Sequence, residues 1–354
     1  MLSLLTFAAH CATLAAVRVV ALLGPIATEK DICRFEMPGV NIFSGNDLDP
    51  NDEADAALVL GGDGTLHRHL PVLSHKKIPT LIVPMGSAND FAQSIGFATI
   101  EQSLIAWERF CAARDNMRDI DLGVIQPQQP EPVDARDQSD LWAEDSLETM
   151  HFVPDGPRDD LPRMGPRIMQ SQLRRATEAE QEVTTQTVFA CIAGTGLDAV
   201  VHRRTLKQPR WLRSHGGYVV ALLQTLGAFA PPRMTISAEV DGQWRTIADE
   251  PGMLVAVGNG PQYGNGMRLT HEADLQDSQF DVCFVRRLSK LRLLRLFHVV
   301  FRGEHIGMEE VEYLKASCVR IATDPPCEIF ADGEPVCMTP VEISVKRSAL
   351  RVIA

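Results

Sequence analysis

The apolar positions between residue 17 and about residue 125 follow two alternating patterns. The runs "VRVVALLG", "NIFSG", "ADAALVL", "IPTLIVP" and "MRDIDLGVI" are short and nearly continuous, so they predict strands. Between them, apolar residues recur at helical spacing from Thr65 to about Leu73, and "SANDFAQSI" opens a second helix. "IEQSLIAWERFCAAR" sets Leu104, Ile105, Trp107 and Cys111 near one face of a third. Strands alternating with helices predict parallel βαβ units with both sheet faces covered.

From Thr184 onward the period changes. "TTQTVFACIAG", "MTISAEVDGQW", "MLVAVGN", "FDVCFVRR", "SCVRIAT", "CEIFADGE", "TPVEISVK" and "ALRVIA" predict strands separated by turn signals. Helical spacing interrupts them at about 214–229 and 289–302. The pattern therefore divides the chain into an α/β domain at 17–125 and a β-rich domain at 184–341. The stretch 126–183 fits neither. It holds seven prolines, from Pro127 to Pro166, with 13 acidic residues against 6 arginines, so −7 of the net −12 lies there. It reads as a solvated, partly disordered insertion with no assigned chemistry.

Composition narrows the class. With 354 residues, 45% hydrophobic and 23% charged, the chain has room for two domains and a sizeable core. A net charge of −12 without a basic arm at either end argues against nucleic acid as a partner. The eight cysteines form no CxxC pair and read as reduced, packed side chains of a cytoplasmic protein. The opening "MLSLLTFAAHCATLAA" is apolar but lacks the positive start of a signal peptide, and Arg18 interrupts any spanning helix. It reads as a helical extension or an early start codon, with a membrane-associated start as the alternative.

The candidate chemistry begins at "LGGDGTL", where a strand ends and a helix begins. Gly61, Gly62 and Gly64 let backbone N–H groups approach a ligand closely, and the helix N-terminus after Thr65 favours phosphate. Asp63 would repel that phosphate unless a cation such as Mg²⁺ stood between them. Asp-Gly is equally a hairpin signal, so this loop alone leaves both readings open. It is not a Walker A loop, because no Lys-Ser/Thr pair follows. A second strand–loop–helix, "LIVPMGSANDFAQSIG", repeats the arrangement. There Gly86 allows the turn, Ser87 can cap, and Asn89 and Asp90 lie in the first helical turn. Two such loops on adjacent strands predict a nucleotide cleft.

Taken together, "GGDGTLH" and "P.GSANDFA" resemble the diacylglycerol-kinase catalytic-domain family, which includes bacterial soluble lipid kinases and is related to sphingosine, ceramide and, more distantly, NAD kinases. "FACIAGTGLDAVV", "VAVGNGPQYGNGMRLTHEADLQDSQFDVCFV" and "IFADGEPV" continue the resemblance in the same order over about 54–125 and 184–354. It implies a Rossmann-like α/β domain of NAD kinase and diacylglycerol kinase type, a β-rich lipid-binding domain, and an active site in the cleft between them. The tail at about 342–354 would return to the first domain. It also implies an ATP-dependent lipid kinase using Mg²⁺ and acting on diacylglycerol or a related lipid. A soluble-acceptor kinase or a non-catalytic nucleotide- or lipid-binding regulator is the alternative.

By the same resemblance, Gly61, Gly62, Asp63, Gly64 and Thr65 form one nucleotide loop, with Asp63 facing Mg·ATP. Gly86, Ser87, Asn89 and Asp90 form the other. Asp332 matches the general base and Glu334 its neighbour, although "ADGEPV" on its own reads as a β-turn. Asp198 falls at the acceptor, and Asp277 and Asp281 fall where some bacterial members hold a structural Mg²⁺. The chain departs from the family pattern in several places. "LLGPIATEK" replaces an "NPxSG" loop, "LHRH" replaces "LNE", "GNG" replaces "GGG", Thr270 replaces a proline, and Ser278 replaces a glycine.

Two basic islands fit an anionic lipid surface. One holds Arg203, Arg204, Lys207, Arg210, Trp211 and Arg213, and the other runs from Arg286 to Arg302. The expected place of work is therefore the cytoplasm, peripheral at the inner face of the membrane. The expected partner is a lipid there, and a homodimer stays open.

Overall fold

A computed structural model describes residues 17–45, 53–128, 186–209, 217–264, 266–289, 292, 293, 295 and 299–354. The apolar opening, nearly all of the predicted insertion, residues 210–216 and part of the predicted helix 289–302 lie outside the described residues.

Four strands build a parallel sheet. β1 (Val17–Leu23) lies between β2 (Val40–Gly45) and β3 (Ala56–Gly61), and β3 pairs onward with β4 (Thr80–Pro84). Every residue of β3 is buried, which is why its sequence is a continuous apolar run rather than an alternating one. The short α1 (Glu29–Ile32) connects β1 to β2. After β3 comes α2 (Asp63–Lys76); after β4 come α3 (Asp90–Ser94) and α4 (Ile100–Ala113). Thr99 and Gln102 form a capping box at the start of α4.

The helix expected over Thr65 to Leu73 is longer than its apolar spacing suggested. It runs through Pro71, which has no N–H to give to the His67 carbonyl. Leu66, Leu70 and Leu73 are buried on both sides of the proline and carry the helix past it.

The β-rich part is antiparallel. It comprises β5 (Met117–Pro127), β6 (Thr187–Phe189), β7 (Ile192–Gly196), β8 (Arg233–Val240), β9 (Gln243–Gly258), β10 (Phe280–Arg286), β11 (Val311–Ala316), β12 (Cys318–Asp324), β13 (Glu328–Ala331), β14 (Glu334–Met338) and β15 (Val341–Ile353). Helices α5 (Leu197–Leu206) and α6 (Gly217–Leu226) follow β7. Phe189, Phe280 and Phe284 anchor the core between these strands.

Several predicted strands have different boundaries. "TTQTVFACIAG" breaks into β6 and β7 at Ala190–Cys191. "CEIFADGE" stops at Ala331, because Asp332 and Gly333 both adopt positive φ and form a two-residue turn into β14. "TPVEISVK" and "ALRVIA" are one strand, β15, with a register shift between Lys346 and Leu350; Ser348 has φ 46° and donates its N–H to Asp121. β11 was not predicted at all. Only its end residues, Val311 and Ala316, are buried, so it carries little apolar signal.

β15 runs beside β12 and β5, and Val352 reaches a parallel pairing with Thr80 of β4. The chain's last strand thus continues the parallel sheet. Among the described residues no helix is long and apolar enough to cross a membrane, and the seven described cysteines are unpaired.

Candidate active site

Three loops meet at the carboxyl ends of the parallel strands, where open α/β sheets take their ligands. Gly24 after β1 donates its N–H to the Leu60 carbonyl, and Met85 after β4 donates to the Gly61 carbonyl. Gly62 and Gly86 approach backbone to backbone. A Cβ on Gly62 would stand 2.8 Å from the Gly86 Cα, and one on Gly86 would stand 2.4 Å from the Gly62 Cα. Glycine is required at both positions by this approach. Gly61 is constrained by Thr65, whose Oγ1 would lie 2.4 Å from an added Cβ.

Asp63 answers the question its sequence position raises. Its two carboxylate oxygens accept the N–H groups of Asp90 at 3.1 Å and Phe91 at 3.0 Å. The acid at the end of β3 therefore caps α3, across the cleft from its own helix. Ser87, expected to cap, is exposed in the loop. Asn89 takes the cap position in the left-handed conformation and folds its amide back onto the Gly86 N–H and carbonyl. Burial pushes the Asp63 carboxyl above its ordinary value, and its two N–H bonds pull the other way. Each Asp63 oxygen keeps a second lone pair, so the residue still fits a cation arriving with a nucleotide's phosphates. Asp90 is buried and accepts the Gly264 N–H at 2.7 Å, tying the second loop to the segment before Met267.

Asp332 is brought in by the β13–β14 turn. The break between β6 and β7 leaves three N–H groups pointing one way, and all three donate to its carboxylate. Cys191 and Ile192 donate to Oδ1 at 2.8 and 3.2 Å, and Ala190 donates to Oδ2 at 2.7 Å. The fourth neighbour is His67 of α2, whose Nδ1 lies 3.4 Å from Oδ2. Glu334 reaches the N-terminus of α2, with its Oε1 3.1 Å from where a Gly64 Cβ would be. The turn itself is held by His202, whose Nε2 lies 2.7 Å from the Gly333 carbonyl.

Asp198, on the first turn of α5, accepts the Tyr263 hydroxyl at 2.5 Å. Asp198 and Asp332 line one small pocket, walled by Ile192, Leu254, Leu269 and Phe330. Tyr263, His202 and Asn259 were given no role in the sequence reading. Asn259 is fully buried and donates to the carbonyls of Asp121 and Ala190, fastening the β6–β7 break to β5. Nothing in the local sequence marks these residues, because what each completes lies far away along the chain.

Asp277 and Asp281 are close to each other, with Lys315 of β11 between them. Its Nζ lies 2.6 Å from Asp277 Oδ2 and 3.7 Å from Asp281 Oδ2. The positive charge that a structural metal would supply is already a lysine. Among the described residues no three His, Cys, Asp or Glu side chains gather to hold a metal ion. These residues do not fit a structural Mg²⁺.

Of the basic islands, Arg203 pairs with Glu328, Arg286 with Glu250 and Glu312, and Arg292 with Glu310. Arg210, Trp211, Arg213 and Lys290 lie outside the described residues.

Comparison with known proteins places this geometry. Residues 45–125 match the diacylglycerol kinase catalytic domain, and residues 191–354 match the YegS C-terminal NAD kinase beta sandwich-like domain. A diacylglycerol kinase of Mycobacterium tuberculosis (strain ATCC 25618 / H37Rv) is 28% identical over 304 residues, spanning 84% of this chain and 76% of that protein. A diacylglycerol kinase of Bacillus subtilis (strain 168) is 22% identical over 298 residues, spanning 82% and 74%. The crystal structure of a diacylglycerol kinase from Bacillus anthracis str. Sterne shares the fold, with a TM-score of 0.55 at 15% identity and 96% of each chain covered.

Proposed function

The chain belongs to the diacylglycerol kinase catalytic-domain family, and from that premise we propose that it transfers the γ-phosphoryl group of ATP to the hydroxyl of diacylglycerol or a closely related lipid. The observation that carries this reading is the meeting of Asp332 with α2 beside the two glycine loops, together with the apolar-walled pocket that Asp332 also lines.

Phosphoryl transfer is positioning plus charge neutralisation, with a group to accept the hydroxyl proton. In this reading the backbone around Gly61, Gly62 and Gly86 cradles the phosphates. Asp63 would face Mg²⁺, which supplies neutralising charge when it arrives with the nucleotide. Asp198 and Tyr263 orient the acceptor hydroxyl, while Ile192, Leu254, Leu269 and Phe330 exclude water around it. Arg204, Lys207, Arg287 and Arg302 would meet anionic headgroups at the inner membrane face.

The test offers labelled Mg·ATP with mixed micelles of diacylglycerol, monoacylglycerol, phosphatidylglycerol, ceramide or sphingosine. Label in a diacyl or monoacyl lipid supports the reading. ATP binding with no labelled lipid turns it toward a soluble acceptor or a regulatory role.

A further inference from the structure

The β13–β14 turn carries two carboxylates, Asp332 and Glu334, and its own backbone does little to hold them in place. Asp332 has φ 49°, a conformation that persists in a residue with a Cβ only where its surroundings hold it. β14 ends the strand order and pairs with β13 alone among the described strands. Pro335 has no N–H to give to that ladder, and the register shifts between Ile329 and Phe330. An edge strand with an interrupted ladder shifts easily unless another group fastens it. The Asp332 end of the turn is fastened by β6 and β7. Its N–H donates to the Ile192 carbonyl at 3.0 Å, and its carboxylate accepts the N–H groups of Ala190, Cys191 and Ile192. The Glu334 end is reached through the next peptide, whose Gly333 carbonyl lies 2.7 Å from Nε2 of His202.

We propose that His202 is a positioning residue for the transfer: by holding the Gly333 carbonyl it fixes Glu334 beside the first glycine loop and keeps both carboxylates of the turn in place against the acceptor pocket. A carbonyl oxygen only accepts, so Nε2 carries the hydrogen and His202 is the donor. Its ring packs edge-on against Phe330, with centroids 5.1 Å apart at 66°. Phe330, Asp332 and Gly333 all line the acceptor pocket. The imidazole is not part of that lining, so it acts through the turn and touches no reacting atom. The inference rests on the lipid-kinase reading for the reaction that it serves.

The chain places this donor economically. α5 starts at Leu197 directly after β7, and Asp198 and His202 stand four residues apart on it, which makes them neighbours on one helix face. Asp198 accepts the Tyr263 hydroxyl while His202 meets the turn. Leu197 and Val201 are buried and fix the helix between them. β7 grips Asp332 through Ile192, and α5 grips Gly333 through His202, so one continuous stretch holds both ends of the turn. Phosphoryl transfer depends on positioning, and a displacement of about 1 Å costs about 10²-fold in rate.

Two measurements test this. In the first, kcat and KM for ATP are determined for wild type, His202→Phe and His202→Gln. Phenylalanine keeps a ring against Phe330 but has no N–H, whereas glutamine brings an amide N–H near the reach of Nε2. His202→Phe should lose about 10- to 10²-fold in kcat with KM for ATP little changed, and His202→Gln should recover most of that loss. A purely structural role would follow the ring instead, so a His202→Phe protein that keeps kcat overturns the proposal. Equal losses in the two variants overturn it as well, because the donor then makes no difference. The second measurement is hydrogen exchange over residues 333–338 read by mass spectrometry, and it needs neither nucleotide nor lipid. Exchange there should be faster in His202→Phe than in wild type or His202→Gln. Unchanged exchange in His202→Phe overturns the clamp whether or not the protein phosphorylates a lipid. Wild-type protein that labels no lipid overturns the lipid-kinase reading and the positioning role with it, and the exchange result then separates that failure from a failure of the clamp.

Discussion

At the residue scale, the candidate site reuses acids that look catalytic as fasteners. Asp63 caps α3, Asp90 holds the Gly264 N–H, and Asp332 gathers three N–H groups at the β6–β7 break. Asp63 and Asp90 were legible because polar loops follow two neighbouring apolar strands; Asp332 was named by the resemblance alone, since its own residues read as a β-turn. Their partners were not, since Asp332 and Ala190 are separated by 142 positions. Asp281 shows how a buried acid responds to pH. Burial raises its carboxyl from 3.8 to about 6, and Lys315 opposes this. The proton held by the folded state therefore stabilises the protein below the lower value, and that contribution is lost as pH rises through the higher. In a series of thermal melts, wild type should lose Tm across that window and Asp281→Asn should lose less. Parallel Tm curves for the two proteins would show that the group is not buried as described.

At the scale of elements, the two glycine loops and the helices behind them form one unit. α3 has five residues and relies on an acid from another loop for its cap. Replacing Asp63 with Ala leaves two helix N–H groups without their acceptor. The expected loss is about 1–2 kcal/mol, read as a lower urea midpoint at unchanged m. A midpoint equal to wild type would mean that the cap does not stabilise the fold. Strands β1, β3 and β4 were readable because burial on both faces makes them almost continuously apolar. The break between β6 and β7 was not, because "TVFACIAG" is apolar on both sides of it and the groups that hold the break, the Asp332 carboxylate and the Asn259 amide, lie far along the chain. Pro71 lies inside α2 as the apolar spacing over Thr65 to Leu73 required, and packing of Leu66 and Leu73 overrides the local breaker.

At the scale of the whole molecule, β15 connects the β-rich part to the parallel sheet. Leu350, Val352 and Ile353 are each 0% exposed, within the core that also holds β1, β3 and β4. Each is worth about 1.5–3 kcal/mol of burial. Together they approach the entire margin of a typical domain, about 5–15 kcal/mol. Removing residues 347–354 should therefore abolish the cooperative thermal transition seen by circular dichroism. A truncated protein melting at the wild-type Tm would contradict that placement of β15. The change of period near Thr184 marked the β-rich part, but β5, expected as a parallel strand of the α/β domain, pairs antiparallel with β15 and β6. The return of the final strand came from resemblance alone, because an apolar run does not say which sheet it joins.

The central claim is that the phosphoryl group goes to a lipid. Its most direct test offers diacylglycerol micelles and NAD together with γ-labelled Mg·ATP and partitions the product between organic and aqueous phases. The account predicts label in the organic phase from wild type and almost none from Asp332→Asn. Label confined to a phosphorylated nucleotide in the aqueous phase would contradict it.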